Sequence, residues 1–335
     1  MRRAFAFSLR PRYTSAMHKV DPNRVARPHQ SGFVAIVGKP NVGKSTLVNA
    51  LVGEKVAIVS PKPQTTRRVI RGILSRPDAQ IVFVDTPGIS RVGATSRSPL
   101  LNRTMVESAL NVIDEVDVVV LLTDGSRLPD ADDARIGTLL NERCRMPVLL
   151  ALNKMDVLKP EDVQAVTEAH WALVKHADWM RISAARRTNL DKLLDQILAR
   201  LPEGPELYPA DQITDQNMQA VAAELIREQV LLHTRQEIPH SVAIAIEAWE
   251  ERRADLTHIT ATIYVERDSQ KGIVIGAGGA MLKKIGQTAR GEIERWVGHQ
   301  VYLELWVKVR EKWRERENSL RELGLGTGNA ERGGG

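Results

Sequence analysis

The octapeptide Gly38-Lys-Pro-Asn-Val-Gly-Lys-Ser45 constrains this chain more than any other stretch. It follows the apolar run Phe33-Val-Ala-Ile-Val37 and opens a helical pattern near Lys44. A strand that ends in a glycine-rich turn and restarts as a helix aims backbone N–H groups and a positive helix terminus at one spot. That spot suits a chain of phosphates. Gly38, Lys39, Pro40, Asn41, Val42, Gly43, Lys44, Ser45 and Thr46 are therefore the candidate phosphate-binding residues. Lys44 is placed to reach the β- and γ-phosphates, and the Ser45 hydroxyl to ligate Mg²⁺.

Around this unit, from position 31 to 202, apolar runs alternate with helical patterns. The runs are FVAIVG, VAIVS, QIVFVD, DVVVLLTD, MPVLLALN and WMRIS. Continuous Val/Ile/Leu runs indicate strands buried on both faces, so this half is expected to be a doubly wound, mostly parallel α/β sheet. Ligands then sit at the carboxyl ends of the strands. Residues 203–214 are Pro- and Asp-rich without periodicity and read as a linker. Beyond them, 215–316 suggest a smaller α+β domain: a helix at 217–233, strands near 241–249 and 257–266, a helix ending near 296, a strand at 300–309 and a charged helix from 311. Residues 317–335 read as a tail, disordered in its glycine-rich end.

Two further turns complete the first site. Asp85-Thr-Pro-Gly88 closes the run QIVFV about forty residues after the phosphate loop. There a carboxylate can hold Mg²⁺ through water, and the Gly88 N–H can meet the γ-phosphate. Asp85, Thr86, Pro87, Gly88 and Ile89 are assigned to this wall. Asn153-Lys-Met-Asp156 closes the run VLLAL. Guanine presents N1–H and N2–H₂ side by side, which one carboxylate accepts together. Adenine would leave Asp156 unpaired, so guanine is the expected base. Asn153 braces this loop, Lys154 and Met155 flank the base, and Ser183-Ala184 supply a short lid. Between the first two motifs lies Pro61-Lys-Pro-Gln-Thr-Thr-Arg67, where a threonine can complete the Mg²⁺ shell; Thr66 is preferred to Thr65. The expected catalytic set is Lys44, Thr66 and Gly88, and the expected metal set is Ser45, Thr66 and Asp85.

A second glycine turn, Gly276-Ala-Gly-Gly279, lacks both the GK[ST] close of a phosphate loop and the spacing of a dinucleotide fingerprint. It fits a G-x-x-G loop between two helical pieces, which clamps the backbone of about four nucleotides. Lys271, Lys283, Lys284 and Arg290 surround it, with no acid between 271 and 290. Lys271, Ile275, Gly276, Ala277, Gly278, Gly279, Lys283 and Lys284 are the candidate RNA contacts. Ile273, Val274, Met281, Leu282 and Ile285 are expected to line a groove for unstacked bases. Tyr264, Trp296 and Trp306 are candidates for stacking or, alternatively, for the core.

This ordered set resembles the translation-factor-related GTPases, in particular their Era-like branch. The stretches AAELIREQVL, EIPHSVAIAIE, IYVERDSQKGIVIGAGG and VYLELWVKVREKW extend the resemblance from about 32 to 322. It implies a GTPase domain joined to a type II KH domain, with GTP/GDP and Mg²⁺ as ligands. It also implies small-subunit (16S-type) ribosomal RNA near its 3′ end as partner, a role in 30S assembly, and a monomer that is cytoplasmic with peripheral association to the inner membrane face. Asn41 further suggests a K⁺ site, as in some related GTPases. Two departures stand out. Ile89 replaces the glutamine that orients water in Ras-type proteins, so unassisted turnover is expected to be slow, roughly 10⁻⁴ to 10⁻² per second. The two inner positions of the G-x-x-G loop are Ala277 and Gly278, where a basic residue is usual. The competing reading is a GTPase of tRNA modification or membrane signalling whose C-terminal half binds protein.

The formal charge of +6 does not by itself argue for nucleic acid, because residues 1–30 hold seven Lys/Arg against one Asp and the remainder is balanced. That basic, flexible segment is a disordered or over-annotated extension with Met17 as start, a surface-binding tail, or an organelle transit peptide. The one cysteine, Cys144, cannot form an internal disulfide.

Overall fold

The computed structural model describes residues 28–62, 64–90, 98–234 and 238–326. The first half builds a six-stranded sheet from β1 (Gln30–Val37), β2 (Ile70–Arg76), β3 (Ala79–Asp85), β4 (Val118–Asp124), β5 (Val148–Asn153) and β6 (Asp178–Arg181). Its order is β2-β3-β1-β4-β5-β6, parallel throughout except for the antiparallel β2–β3 pair. The helices α1 (Lys44–Val52), α2 (Pro99–Ile113), α3 (Ala131–Arg143), α4 (Val163–Trp171) and α5 (Leu190–Leu198) cover both faces. Two apolar layers result. One packs Leu47, Leu51, Leu193 and Ile197 under the sheet, and the other packs Ala109, Ile113, Ile136 and Leu140 above it. Strands β3, β4 and β5 are buried along their whole length, as uninterrupted apolar runs require.

The second half begins with α6 (Met218–His233) and α7 (Ile238–Ser241). It continues through β7 (Ala243–Arg253), β8 (Leu256–Val265), α8 (Asp268–Ile275), α9 (Ala280–Val297), β9 (Gln300–Val309) and α10 (Glu317–Glu322). β8 is the central strand, antiparallel to β7 and parallel to β9. One face of this sheet buries Ile259, Ala261, Ile263 and Val301 against Ile226, Val230, Ile285 and Ile293 of the helices. α6 starts as its sequence dictates, with the Asn217 side chain accepting from the Ala220 N–H at 2.8 Å.

The structure corrects four local expectations. The run VAIVS at 56–60 is not a strand; Ala57 and Ile58 are buried, and Ile58 packs into the core of the second domain. The strand in its place is β2, whose partly polar IRGILSR sequence, half-buried toward its end, lies at the sheet edge. The charged helix expected from 311 is a 3₁₀ turn at Trp313–Glu315 followed by the short α10. The tail is seated at least through Leu325, which is buried with Leu320, Leu323 and Trp313 against Leu101 and Met105 of α2. Residues 203–214 are fastened too: the Gln80 amide accepts from the N–H groups of Leu207 and Tyr208 and donates to the Tyr208 carbonyl, at 2.6–2.9 Å. The expectations for the basic segment up to 27 and for 327–335 lie outside the described residues.

Candidate nucleotide and RNA sites

The phosphate loop wraps the space above the ends of β1 and β3. At Gly43 φ is 101°, and a Cβ there would stand 2.5 Å from the Asn153 amide nitrogen, so only glycine fits. Lys44 is buried; its ammonium donates to the carbonyls of Gly38 and Lys39 at 3.1 and 3.0 Å, and burial pulls its pKa down to about 8. The Ile89 N–H donates to the Gly38 carbonyl at 3.2 Å, joining the second motif to the loop. Pro40, Asn41, Gly43, Ser45, Thr46, Thr65, Thr66 and Gly88 line one open cleft. Ile89 itself is buried in the sheet layer, so its side chain offers nothing to a water in that cleft.

Ser45, Thr66 and Asp85 converge. The Ser45 hydroxyl donates to Asp85 Oδ2 at 2.6 Å and lies 2.8 Å from the Thr66 hydroxyl, which in turn lies 3.3 Å from the same carboxylate. Asp85 is fully buried, and its other oxygen, Oδ1, has no partner among the described residues. Desolvation raises its pKa to about 6 despite Lys44 nearby. A buried carboxylate with one orphaned oxygen, flanked by two hydroxyls, is a donor set suited to a hard divalent cation. Thr65 turns away, its hydroxyl donating to the Lys62 carbonyl at 2.7 Å. Thr86 braces the strand end, donating to the Ile36 carbonyl at 2.8 Å.

At the base end, Asn153 is buried and bridges three segments. Its amide donates to the Val42 carbonyl at 2.8 Å and accepts from the Ala184 N–H at 2.9 Å. The Ser183 hydroxyl donates to Asp156 Oδ1 at 2.6 Å, and the Met155 N–H reaches the Ile182 carbonyl at 3.1 Å. Ser183 thus orients the Asp156 carboxylate.

Two side-chain pairings escaped the sequence reading, one of them turning Lys39, expected at the phosphates, onto α3. Asp124, at the end of β4, accepts from the Lys154 ammonium at 2.8 Å and fixes that side chain at the end of β5. Lys39 is buried and paired with Asp130 and Asp133, at 2.6 and 2.5 Å, in the capping box of α3. Burial works against its charge, but the two carboxylates prevail and raise its pKa. The Asp-x-x-Asp spacing before α3 signals a helix start, and nothing local names the lysine it will meet.

The second glycine turn sits between α8 and α9. Gly276, Gly278 and Gly279 have φ of 73°, 56° and 80°. Around Gly276 the chain is tight, because a Cβ would meet Met281 Cβ at 2.7 Å; around Gly278 and Gly279 it would meet nothing within 4 Å. Ala277, Gly278, Lys283 and Lys284 are exposed, Lys271 and Ile275 half-buried, and Ile273 is 46% exposed. Val274 and Ile285 are fully buried in the core, so they do not line a groove as expected. Trp306 is 54% exposed, whereas Trp296 packs on the core.

Both halves of the chain resemble known proteins. A family model described as 50S ribosome-binding GTPase matches residues 33–154, and a KH domain model matches 237–314. GTPase Era of Heliobacterium modesticaldum is 47% identical over 296 residues, 88% of this chain and 97% of that protein. Among solved structures, Era in complex with MgGDPNP and nucleotides 1506–1542 of 16S ribosomal RNA superimposes with a TM-score of 0.84 at 40% identity, over 89% of this chain and 99% of that one. A variant of Aquifex aeolicus Era bound to GDP and AlF₄⁻ gives 0.83 at 40% identity, with the same coverage. Among the described residues no helix is long and apolar enough to cross a membrane. With a GTPase domain followed by a KH domain, and close identity to GTPase Era over nearly its whole length, this chain belongs to the Era family of GTPases.

Proposed function

We propose that this chain is a GTP-hydrolysing switch that binds small-subunit ribosomal RNA near its 3′ end through the turn at 276–279 and assists 30S assembly. The observation that carries the reading is the pairing, in one chain, of the Asn153–Asp156 loop closed by Ser183 and Ala184 with a glycine turn beside the exposed Lys283 and Lys284. The Era structure bound to a 16S fragment supports the choice of RNA.

In this reading the ordinary phosphate contacts fall to Lys44 and the loop N–H groups, and Asp156, held by Ser183, accepts from the guanine edge. Ser45 and Thr66 would hold Mg²⁺ directly and Asp85 through water, which fits the orphaned Oδ1. The ion would offset charge on the β- and γ-phosphates. Asn41 is exposed at the mouth of the cleft, its amide 3.4 Å from the Pro61 carbonyl, where a side-chain oxygen and loop carbonyls can share K⁺. Turnover faster in KCl than in NaCl tests this; equal rates remove K⁺ from the account. The chain acts as a monomer that meets the inner membrane face only peripherally, which sedimentation with and without vesicles checks.

The deciding experiment is crosslinking of the full chain to small-subunit particles. Lys283 and Lys284 should crosslink to 3′-terminal RNA, and GTP should compete far better than ATP at the first site. Crosslinks to protein alone would contradict the proposal.

A further inference from the structure

The loop that carries Thr66 is held by the KH half of the molecule. Arg67, the next residue, is 4% exposed and reaches across the domain boundary. Its guanidinium donates to the carbonyls of Val242 at 2.6 Å, His240 at 3.0 Å and Pro239 at 3.2 Å, and lies 5.7 Å from the Trp313 ring centre. Those carbonyls belong to α7 and the first turn of chain beyond it. From the other side, Arg227 of α6 donates to the Thr65 carbonyl. Glu228 accepts from the Val59 N–H at 3.0 Å and pairs with Lys55 at 2.6 Å. Arg68 donates to the Leu323 carbonyl. Residues 55–68 are thus pinned at five points by α6, α7 and the C-terminal segment.

A buried guanidinium serving three carbonyls is costly unless every contact is made together. Its partners all sit on the KH half, so the position of Arg67 reports where that half is docked. Thr66 is one peptide away, and its hydroxyl stands on Ser45 and Asp85 in the same arrangement. The two residues are adjacent, so a displacement of Arg67 is passed directly to the Thr66 backbone.

We infer that Arg67 is a positioning residue for Thr66: the docked KH domain, gripping Arg67, pre-sets the hydroxyl that completes the Mg²⁺ shell of the triphosphate state. The inference rests on the assignment of Thr66 to that shell. It has a thermodynamic converse, since a ligand that favours the ordered loop must favour the docked arrangement by the same factor. GTP and Mg²⁺ gain from the pre-set hydroxyl; GDP, which has no γ-phosphate to close the loop upon, does not.

The test compares Mg²⁺-dependent affinities for fluorescent GDPNP and GDP in the full chain and in Arg67→Met, Arg67→Lys, Arg227→Met and Thr66→Ala. Arg67→Met and Arg227→Met should each weaken GDPNP binding roughly tenfold while GDP stays within about twofold, the scale of losing charge-assisted contacts. Arg67→Lys, which can serve one carbonyl, should recover part of the loss. Thr66→Ala should show the same selective loss with Arg67 intact. If Thr66→Ala is selective and the arginine variants are not, the positioning role is wrong and the metal reading stands. If Thr66→Ala leaves the GDPNP-to-GDP ratio unchanged, the metal reading fails and takes this inference with it. Equal weakening of both nucleotides, with a lowered Tm, would make the arginines merely structural and overturn the inference.

Discussion

The two glycine turns of this protein differ in what surrounds them. The turn at 38–45 is enclosed: Asn153 crosses it, Lys39 is locked into the α3 cap, and Lys44 folds back onto its carbonyls. The turn at 276–279 is tight only at Gly276, and its outer positions face open space. An enclosed turn fixes a ligand atom by atom and can reject a wrong base. An open one grips a repeating backbone and leaves selection to the groove beside it. Enclosure accompanies a small, charged, chemically single ligand; openness accompanies a chain.

Changes at the enclosed turn should therefore be severe and local. Replacing Lys44 with alanine removes a buried ammonium from the phosphate loop and should cut kcat/KM for GTP by roughly 10² to 10³. RNA binding without nucleotide should stay within about twofold, as measured by filter retention. At the open turn, Gly276→Val combines a left-handed φ with a 2.7 Å clash. It should weaken RNA binding about tenfold, the scale of one to two kcal/mol of backbone strain, with GTP turnover in the absence of RNA unchanged. Neutralising Lys283 and Lys284 together should act more gently, lowering the slope of log affinity against log salt by about 1.4, two single-strand phosphate contacts' worth. An unchanged slope would show that these lysines only meet solvent.

The smallest effect sharpens the contrast through pH. Asp85 has a pKa raised to about 6, so below that pH a proton competes with Mg²⁺ at its carboxylate. Lys44 has a pKa lowered to about 8, so above that pH it must take up a proton to meet a phosphate at full charge. Nucleotide affinity in Mg²⁺ should therefore be greatest between about 6 and 8 and fall several-fold on either side.

The sequence made the first site legible because its motifs are local: a turn, a carboxylate or an amide at the end of a buried strand. The uninterrupted apolar runs of β1, β3, β4 and β5 announced the sheet for the same reason. VAIVS has a strand's composition, yet Ile58 serves a different core, and composition does not say which core a side chain enters. β2 was obscured because Arg71, Gly72, Ser75 and Arg76 interrupt its apolar residues, as an edge position tolerates. The pairings of Lys39, Arg67, Arg227 and Glu228 were invisible because the partners lie 91 to 175 residues away. Val274 looked like groove because it flanks the glycines; helix periodicity in α8 turned it inward.

The central claim is that the enclosed and the open turn work as one device, joined through the loop around Thr66. The most direct measurement is the affinity of the full chain for a single-stranded 3′ fragment of small-subunit ribosomal RNA, titrated with GDPNP and Mg²⁺, with GDP and Mg²⁺, and without nucleotide. The account predicts that GDPNP changes the RNA affinity relative to GDP and that Arg67→Met abolishes the difference. Identical affinities in all three conditions would contradict it.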